Sequence, residues 1–285
     1  MRSRRRRKAP SVSASRSVDK QVALVTGAAR GQGRAHARMF AQRGFDIVLL
    51  DVCGRVAATS YPPATSEDLA ETVGACEVLG ARVVAAEVDL RDGPEVRGVV
   101  DRAVEQLGRL DVVVSNAGVS GFRPFLELGD SDWDDMIGNN LTTAHRLLSA
   151  AVPHMARLGN GGSIVLTASV AGVKVIPFEA HYVASKHGLV GLMRSLSVEL
   201  SPYGIRVNAI APGGVATVMA EGHDLQGIFG DENRSAMFAG SFSPLVAPYM
   251  ATAEEVAEVV GFLCSDTARS ITGQVVPVDF GVTAR

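Results

Sequence analysis

The sequence lacks the features that would put it in a bilayer, in a disulfide framework or on nucleic acid. No run of about 18 apolar residues occurs in its 285, so no segment is long enough to span a membrane. Only three cysteines are present, Cys53, Cys76 and Cys264. Their wide spacing, odd count and want of a C-x-x-C pair point to reduced thiols in a cytosolic protein. No internal repeat is visible. Charged residues make up only 20% against 47% hydrophobic, which suits one large core in a single α/β domain. The net charge of −2 hides an asymmetry. Residues 1–18 hold seven of the 28 basic residues and no acid, leaving 21 basic against 30 acidic residues in the rest. A body of that sign is a poor partner for nucleic acid. The basic run Arg4-Arg5-Arg6-Arg7-Lys8 is followed by Pro10-Ser11-Val12-Ser13, without the apolar segment of a secretory or twin-arginine signal. It reads as a disordered, solvated tail, with a nucleic-acid or nuclear-import role as the alternative.

What is present, from Gln21 onward, is an alternation of short apolar runs with helical patterns, the signature of βαβ units. Runs at 22–26, 46–51, 82–88, 111–115, 163–167, 206–211 and 275–278 predict seven strands. The fold class is therefore α/β, a single doubly wound Rossmann-type domain over residues 19–285 with a seven-stranded parallel sheet. Thr65-Ser66-Glu67-Asp68 and Thr252-Ala253-Glu254-Glu255 predict helix capping boxes, and Gly204 predicts the end of the helix carrying Tyr182. Two connections exceed the usual length of about 2–6 residues: 53–64, stiffened by Pro62-Pro63, and 213–249, rich in Gly, Phe and Met. Both leave the carboxyl ends of strands, where such sheets bind ligands, so both are expected to cover the site.

The turn Thr26-Gly27-Ala28-Ala29-Arg30-Gly31-Gln32-Gly33 follows the first strand and opens a helix. Glycines there let the backbone turn tightly and approach a pyrophosphate, whose charge a helix N-terminus favours. The spacing is G-x-x-x-G-x-G rather than G-x-G-x-x-G, so the dinucleotide reading draws on its surroundings. Asp51 lies 24 residues after Gly27, at the end of the second strand. A carboxylate there can accept from both ribose hydroxyls and repel a 2′-phosphate, which favours NAD over NADP. Arg30 argues weakly the other way, or reaches the pyrophosphate. Asp89-Leu90, after the third strand, reads either as a contact to the adenine edge or as a helix cap. Asn116-Ala117-Gly118 is a small-residue turn that can pass beside a cofactor. Asn140, on a predicted long helix, reads either as the holder of a water or as a solvated side chain.

The run Ser163-Ile164-Val165-Leu166-Thr167 predicts a buried strand that delivers Ser169 to the site. Tyr182 and Lys186 are four apart, one helical turn, so an ammonium can lie beside a phenol. A phenol titrates near 10 in water, and an adjacent positive charge is expected to lower that value and ready it as an acid or base.

These motifs occur in order and resemble the short-chain dehydrogenase/reductase family across nearly all of residues 20–285: Gly27/Gly31/Gly33, Asn116-Ala117-Gly118, Asn140, Ser169, Tyr182-Val183-Ala184-Ser185-Lys186 and Pro212-Gly213. The resemblance implies that Tyr182 is the general acid/base, that Ser169 holds the substrate oxygen and that Asn140 supports a proton-relay water. It implies that Lys186 binds the nicotinamide ribose and tunes the tyrosine, and that Thr217, in Pro212-Gly213-Gly214-Val215-Ala216-Thr217, contacts the carboxamide. Arg30, Gln32, Val52, Asp89, Leu90 and Val215 complete the expected cofactor contacts, with no metal. A homotetramer assembled through long helices and residues 272–281 is also implied.

A narrower resemblance, carried by Gly27 to His36, the Asp51-Val52-Cys53 junction and the insertion from Tyr61 to Glu71, is to the actinobacterial carveol dehydrogenase-like, mycofactocin-coupled subgroup. It implies tightly held NAD and an external electron acceptor. The chain departs from that subgroup after Pro212. The resulting expectation is an NAD-dependent oxidoreductase of hydrophobic, terpenoid or alicyclic, secondary alcohols and their ketones. Ile176, Pro177, Phe178, Met219, Phe229, Phe238 and Phe242 are its apolar surroundings. The alternatives are a ketoacyl or sugar reductase with exchangeable NAD(P), and a non-catalytic nucleotide sensor, which the complete Asn140, Ser169, Tyr182 and Lys186 set disfavours.

Overall fold

The computed structural model describes residues 20–57, 59–222, 229–241 and 243–284. The basic segment 1–18 and Phe242, both named above, lie outside the described residues. Seven parallel strands, β1 (Val22–Thr26), β2 (Asp46–Asp51), β3 (Val83–Glu87), β4 (Val112–Ser115), β5 (Gly162–Thr167), β6 (Ile205–Pro212) and β7 (Val275–Val278), form one sheet in the order β3-β2-β1-β4-β5-β6-β7.

Successive side chains of a strand face opposite sides, so each central strand feeds two cores. Val22, Leu24, Val113, Ile164 and Leu166 pack with Val96, Val100, Leu147 and Met193, from α3 (Gly93–Leu107), α5 (Thr143–Leu158) and α6 (Ala180–Glu199). Ala23, Val25, Val114 and Val165 pack the other face with Phe40, Leu69, Val256 and Val260, from α1 (Gly31–Gln42), α2 (Ser66–Val78) and α9 (Ala253–Cys264). Burying each Leu, Ile or Phe contributes about 1.5–3 kcal/mol, and the strands are apolar on both faces because both are covered.

Both expected capping boxes are present: Thr65 accepts from Asp68 N at 3.1 Å and Thr252 from Glu255 N at 3.1 Å. Several expected strand boundaries move by one residue, and the Tyr182 helix ends early. β3 begins at Val83 because the Arg82 amide and guanidinium are drawn to the Asp46 carboxylate. The Tyr182 helix ends at Glu199, and Pro202 starts a separate 3-10 turn, Ser201–Tyr203, before Gly204 (φ 67°) terminates the run. The connection 213–249 is not a bare loop; it carries α7 (Val218–Glu221) and α8 (Glu232–Ser241). Asn140 sits on a π-helical turn, Gly138–Thr142, between α4 (Asp130–Ile137) and α5, and not on a continuous α-helix. Such turns interrupt the regular backbone ladder, which is why they recur at functional sites.

Candidate active site

The sheet order reverses between β1 and β4, and the loops leaving the carboxyl ends on either side open a crevice. Gly27 (φ 63°) faces across it; a Cβ there would come within 3.0 Å of Ala117 Cα and of Asn116 Nδ2. A side chain at Gly33 would collide with the Gly27 carbonyl, so the first turn of α1 seats directly on the glycine turn. Thr26 Oγ1 accepts both the Asn116 and Ala117 amides at 3.0 Å, and Asn116 Nδ2 donates to Thr26 O at 2.9 Å. The two loops are thereby locked edge to edge.

Behind this crevice lies a cavity of about 510 Å³, and every predicted site residue except Gly33 and Asn140 lines it. Those two support it from behind. Asn140 Oδ1 accepts the Val119 amide at 2.8 Å and its Nδ2 donates to Val119 O at 2.9 Å, so the side chain fixes the turn that follows Gly118.

At one end, Asp51 is buried and accepts from Ala29 N at 2.9 Å and from Cys53 N at 3.0 Å, one amide on each oxygen. A carboxylate oxygen has capacity for a second donor, so both remain able to take a hydroxyl. Val52 and Leu90 line the same end. Asp89 is bound by Arg91 through Nε and Nη2, at 2.8 to 3.1 Å, which holds its carboxyl below the usual range. It does not cap a helix; Asp92 caps α3, accepting Glu95 N at 3.0 Å. The cradle fits a dinucleotide on its own chemistry: positive-φ Gly27 and Gly31, a paired-oxygen acceptor in Asp51, and Gln32 Oε1 buried without a hydrogen-bond partner among the described residues.

The insertion 53–64 forms the roof. Arg30 donates to Pro63 O at 3.1 Å and to Pro62 O at 2.5 Å, so the arginine clips the insertion to the glycine turn, a role that neither sequence reading of it foresaw. Ser60 donates to Gly222 O at 2.8 Å, and Gly222 lies so close to Tyr61 that any side chain there would collide with it. The Tyr61 phenol, pushed up to about 12 by burial, lines the cavity together with Ser120. The roof thus runs from Asp51 past the glycine turn to the far end of the cavity, further than the adenosine end where the sequence reading placed it.

At that far end, Ser169 closes β5 and its Oγ accepts the Ala171 amide at 3.1 Å. The 3-10 turn Val170–Gly172 lies against α6, where a Cβ on Gly172 would sit 3.0 Å from Lys186 O. Lys186 is buried and donates to Thr167 O at 3.0 Å, with Nζ 5.4 Å from the Tyr182 ring centroid. The ammonium lies over the Tyr182 ring.

The electrostatics differ from the sequence expectation. Burial pushes the Tyr182 phenol above its ordinary value, the Glu179 carboxyl pushes it further, and the hydrogen bond with Ser169 opposes both. Burial brings the Lys186 ammonium down to about 8, against the pull of Glu179. Desolvation therefore outweighs the lowering expected from the Tyr-Lys spacing.

Glu179 was missed in the sequence. It is buried, lines the cavity and accepts from Ser120 Oγ at 3.0 Å. Its only sequence signal was its place three residues before Tyr182, where it becomes the N-cap of α6. The apolar wall is Phe122, Val170, Ile176, Met219 and Phe238, with Phe229 against Phe238 at 5.7 Å between centroids. Pro177 and Phe178 do not line the cavity.

Comparison with known proteins agrees with this geometry. A family model described as enoyl-(acyl carrier protein) reductase matches residues 27–283. An uncharacterized NAD-dependent oxidoreductase of Mycobacterium tuberculosis is 48% identical, over 93% of this chain and 96% of its own. The (−)-trans-carveol dehydrogenase of Rhodococcus erythropolis is 41% identical, over 94% and 99%. The crystal structure of a short chain dehydrogenase from Mycobacterium paratuberculosis bound to NAD superposes with a TM-score of 0.90 at 40% identity, covering 93% and 98% of the two chains.

Proposed function

The chain belongs to the short-chain dehydrogenase/reductase family and is an NAD-dependent oxidoreductase, and from that premise we propose that it interconverts a hydrophobic, carveol-like secondary alcohol and its ketone with a tightly held NAD. The observation that carries the reading is the meeting of Ser169, Tyr182 and Lys186 at one end of a cavity whose other end is the glycine turn and Asp51.

Asp51 would hold the adenosine ribose, Gly27, Gly31, Gln32 and Gly33 the pyrophosphate turn, and Asn116, Ala117, Gly118, Pro212, Gly213, Val215 and Thr217 the nicotinamide half. Asp89, Leu90 and Val52 would border the adenine. NAD, when bound, supplies the hydride acceptor and, reduced, the donor. Ser169 would orient the substrate oxygen, Tyr182 would take the hydroxyl proton in oxidation and return it in reduction, and Lys186 would hold the ribose. Asn140 would hold the relay water against the Val119 turn. The aromatic wall of Phe122 and Phe238 favours an alicyclic body over a charged or sugar-like one.

The clip from Arg30 to Pro62 and Pro63 supports slow release of the dinucleotide, and a retained cofactor calls for an external acceptor of the mycofactocin type to reoxidise it. A homotetramer is part of the reading, in keeping with the edge position of β7 and the exposed Phe262 on α9; sedimentation as a stable monomer at micromolar concentration would contradict it. A turnover assay over a panel of alicyclic alcohols, fatty ketoacyl thioesters and sugars tests the substrate class. Mass spectrometry of the natively purified protein for a bound dinucleotide tests retention.

A further inference from the structure

The N-terminal end of α6 brings three ionisable groups to the cavity where the reaction needs two. Glu179, the N-cap residue, and Tyr182 and Lys186, one turn apart on the helix, all line it. Glu179 is 4% exposed. A carboxyl so buried is unfavourable unless it is bonded or does something, and it accepts from a neutral hydroxyl, Ser120 Oγ, at 3.0 Å. Ser120 and Tyr61 of the insertion line the same cavity, so the carboxyl shares it with the roof.

We propose that Glu179 is a positioning residue whose carboxylate sets the protonation of Tyr182 and Lys186. The proposal rests on the reading of Tyr182 as the group that moves the substrate proton. Glu179 shares the cavity with Tyr182 and Lys186 of α6, at whose N-cap it stands, and with Ser120 and Tyr61 from the loops. The neighbouring His181 ring is moved below its ordinary value by burial, which Asp132 of α4 opposes and Arg123 reinforces. Lys186 is thus the cation that acts directly on the carboxyl.

The signs follow from like and unlike charge. Burial raises the Glu179 carboxyl to about 8, below the range in which a raised phenol titrates, so the carboxylate is already ionised when Tyr182 gives up its proton. That negative charge disfavours the phenolate and favours the Lys186 ammonium. Alcohol oxidation uses the phenolate as base, so its rate rises with pH along the tyrosine limb and falls when the ammonium is lost. Replacing Glu179 by the isosteric, uncharged Gln lowers both values.

The test is the pH profile of kcat for alcohol oxidation in wild type, Glu179→Gln and Glu179→Asp. Gln retains an acceptor for Ser120, and Asp retains the charge. We expect Gln to move the whole profile to lower pH by about one unit and Asp to leave it near wild type. A Gln profile of reduced height with its limbs unmoved would show a structural role and overturn the proposal. A second readout needs no turnover. The infrared C=O stretch of the protonated carboxyl, taken as wild type minus Glu179→Gln, follows the Glu179 proton directly. Coupling is reciprocal, so Lys186→Met should carry that titration to higher pH; an unmoved titration overturns the proposal as well. Tyr182→Phe separates the two ideas. If it keeps its turnover, the acid/base reading fails, whereas an inactive Tyr182→Phe with an unmoved Gln profile condemns the Glu179 role alone.

Discussion

The floor and the roof of the cavity are built by different means. The floor, Ser169 with Glu179 at the N-cap of α6 and Tyr182 and Lys186 on its first turns, is placed by helix start, helix period and strand register. Its members stand at fixed separations because α6 packs on β6 and on the turn after β5. The roof, residues 53–64, has no regular structure in its described part and is fastened by a few side-chain bonds, chiefly from Arg30 and Ser60. Surface segments held in this way open locally at little free energy, whereas groups buried on a packed helix move only with it. Chemistry is therefore assigned to the floor and cofactor residence to the roof, and mutations should separate the two.

The largest effect belongs to the floor. Tyr182→Phe keeps the ring and removes the proton-transferring oxygen, so turnover should fall by at least about 10²-fold with the melting temperature nearly unchanged. Turnover within a few-fold of wild type would mean that another group moves the proton. Asp51→Ala, at the root of the roof, should narrow the preference for NAD over NADP by about tenfold, as expected when one repelling charge is removed. Comparison of dissociation constants for the two dinucleotides decides it, and an unchanged ratio would assign selectivity elsewhere.

Arg30→Ala cuts the clip to Pro62 and Pro63, each bond to a charged donor being worth about 1.5–3 kcal/mol. Release of bound NAD on dilution should accelerate several-fold while the first turnover keeps its rate. A first turnover that slows in step with release would erase the distinction between floor and roof. The smallest change is expected for Thr65→Ala, which removes the N-cap at the foot of the roof, costing about 1 kcal/mol by thermal unfolding and leaving turnover alone.

The parts of the molecule governed by local rules were legible in the sequence. Strand runs, both capping boxes, the glycine turn and the Tyr182/Lys186 spacing each depend on residues within a few positions of one another. What escaped depends on packing between distant segments. The upward displacement of the Tyr182 phenol comes from burial that no spacing reveals, and it reversed the expected sign. Glu179 drew no reading in the sequence, because the Ser120 that bonds it lies 59 residues away. Arg30 offered two electrostatic readings, and backbone carbonyls 32 and 33 residues along the chain took it instead. Asn140 read as helical because a π turn differs from an α turn by a shift of one hydrogen-bond partner, to which composition is blind.

The central claim, that the roof retains the cofactor on which the floor acts, is tested most directly by adding a secondary alicyclic alcohol to natively purified protein after free dinucleotide has been removed. Nicotinamide absorbance is then followed with no cofactor supplied. The account predicts a single burst of bound NADH, about one equivalent per chain, and further turnover only after an artificial electron acceptor is added. Protein that arrives without NAD, or turnover that fresh NAD alone restores, would contradict it.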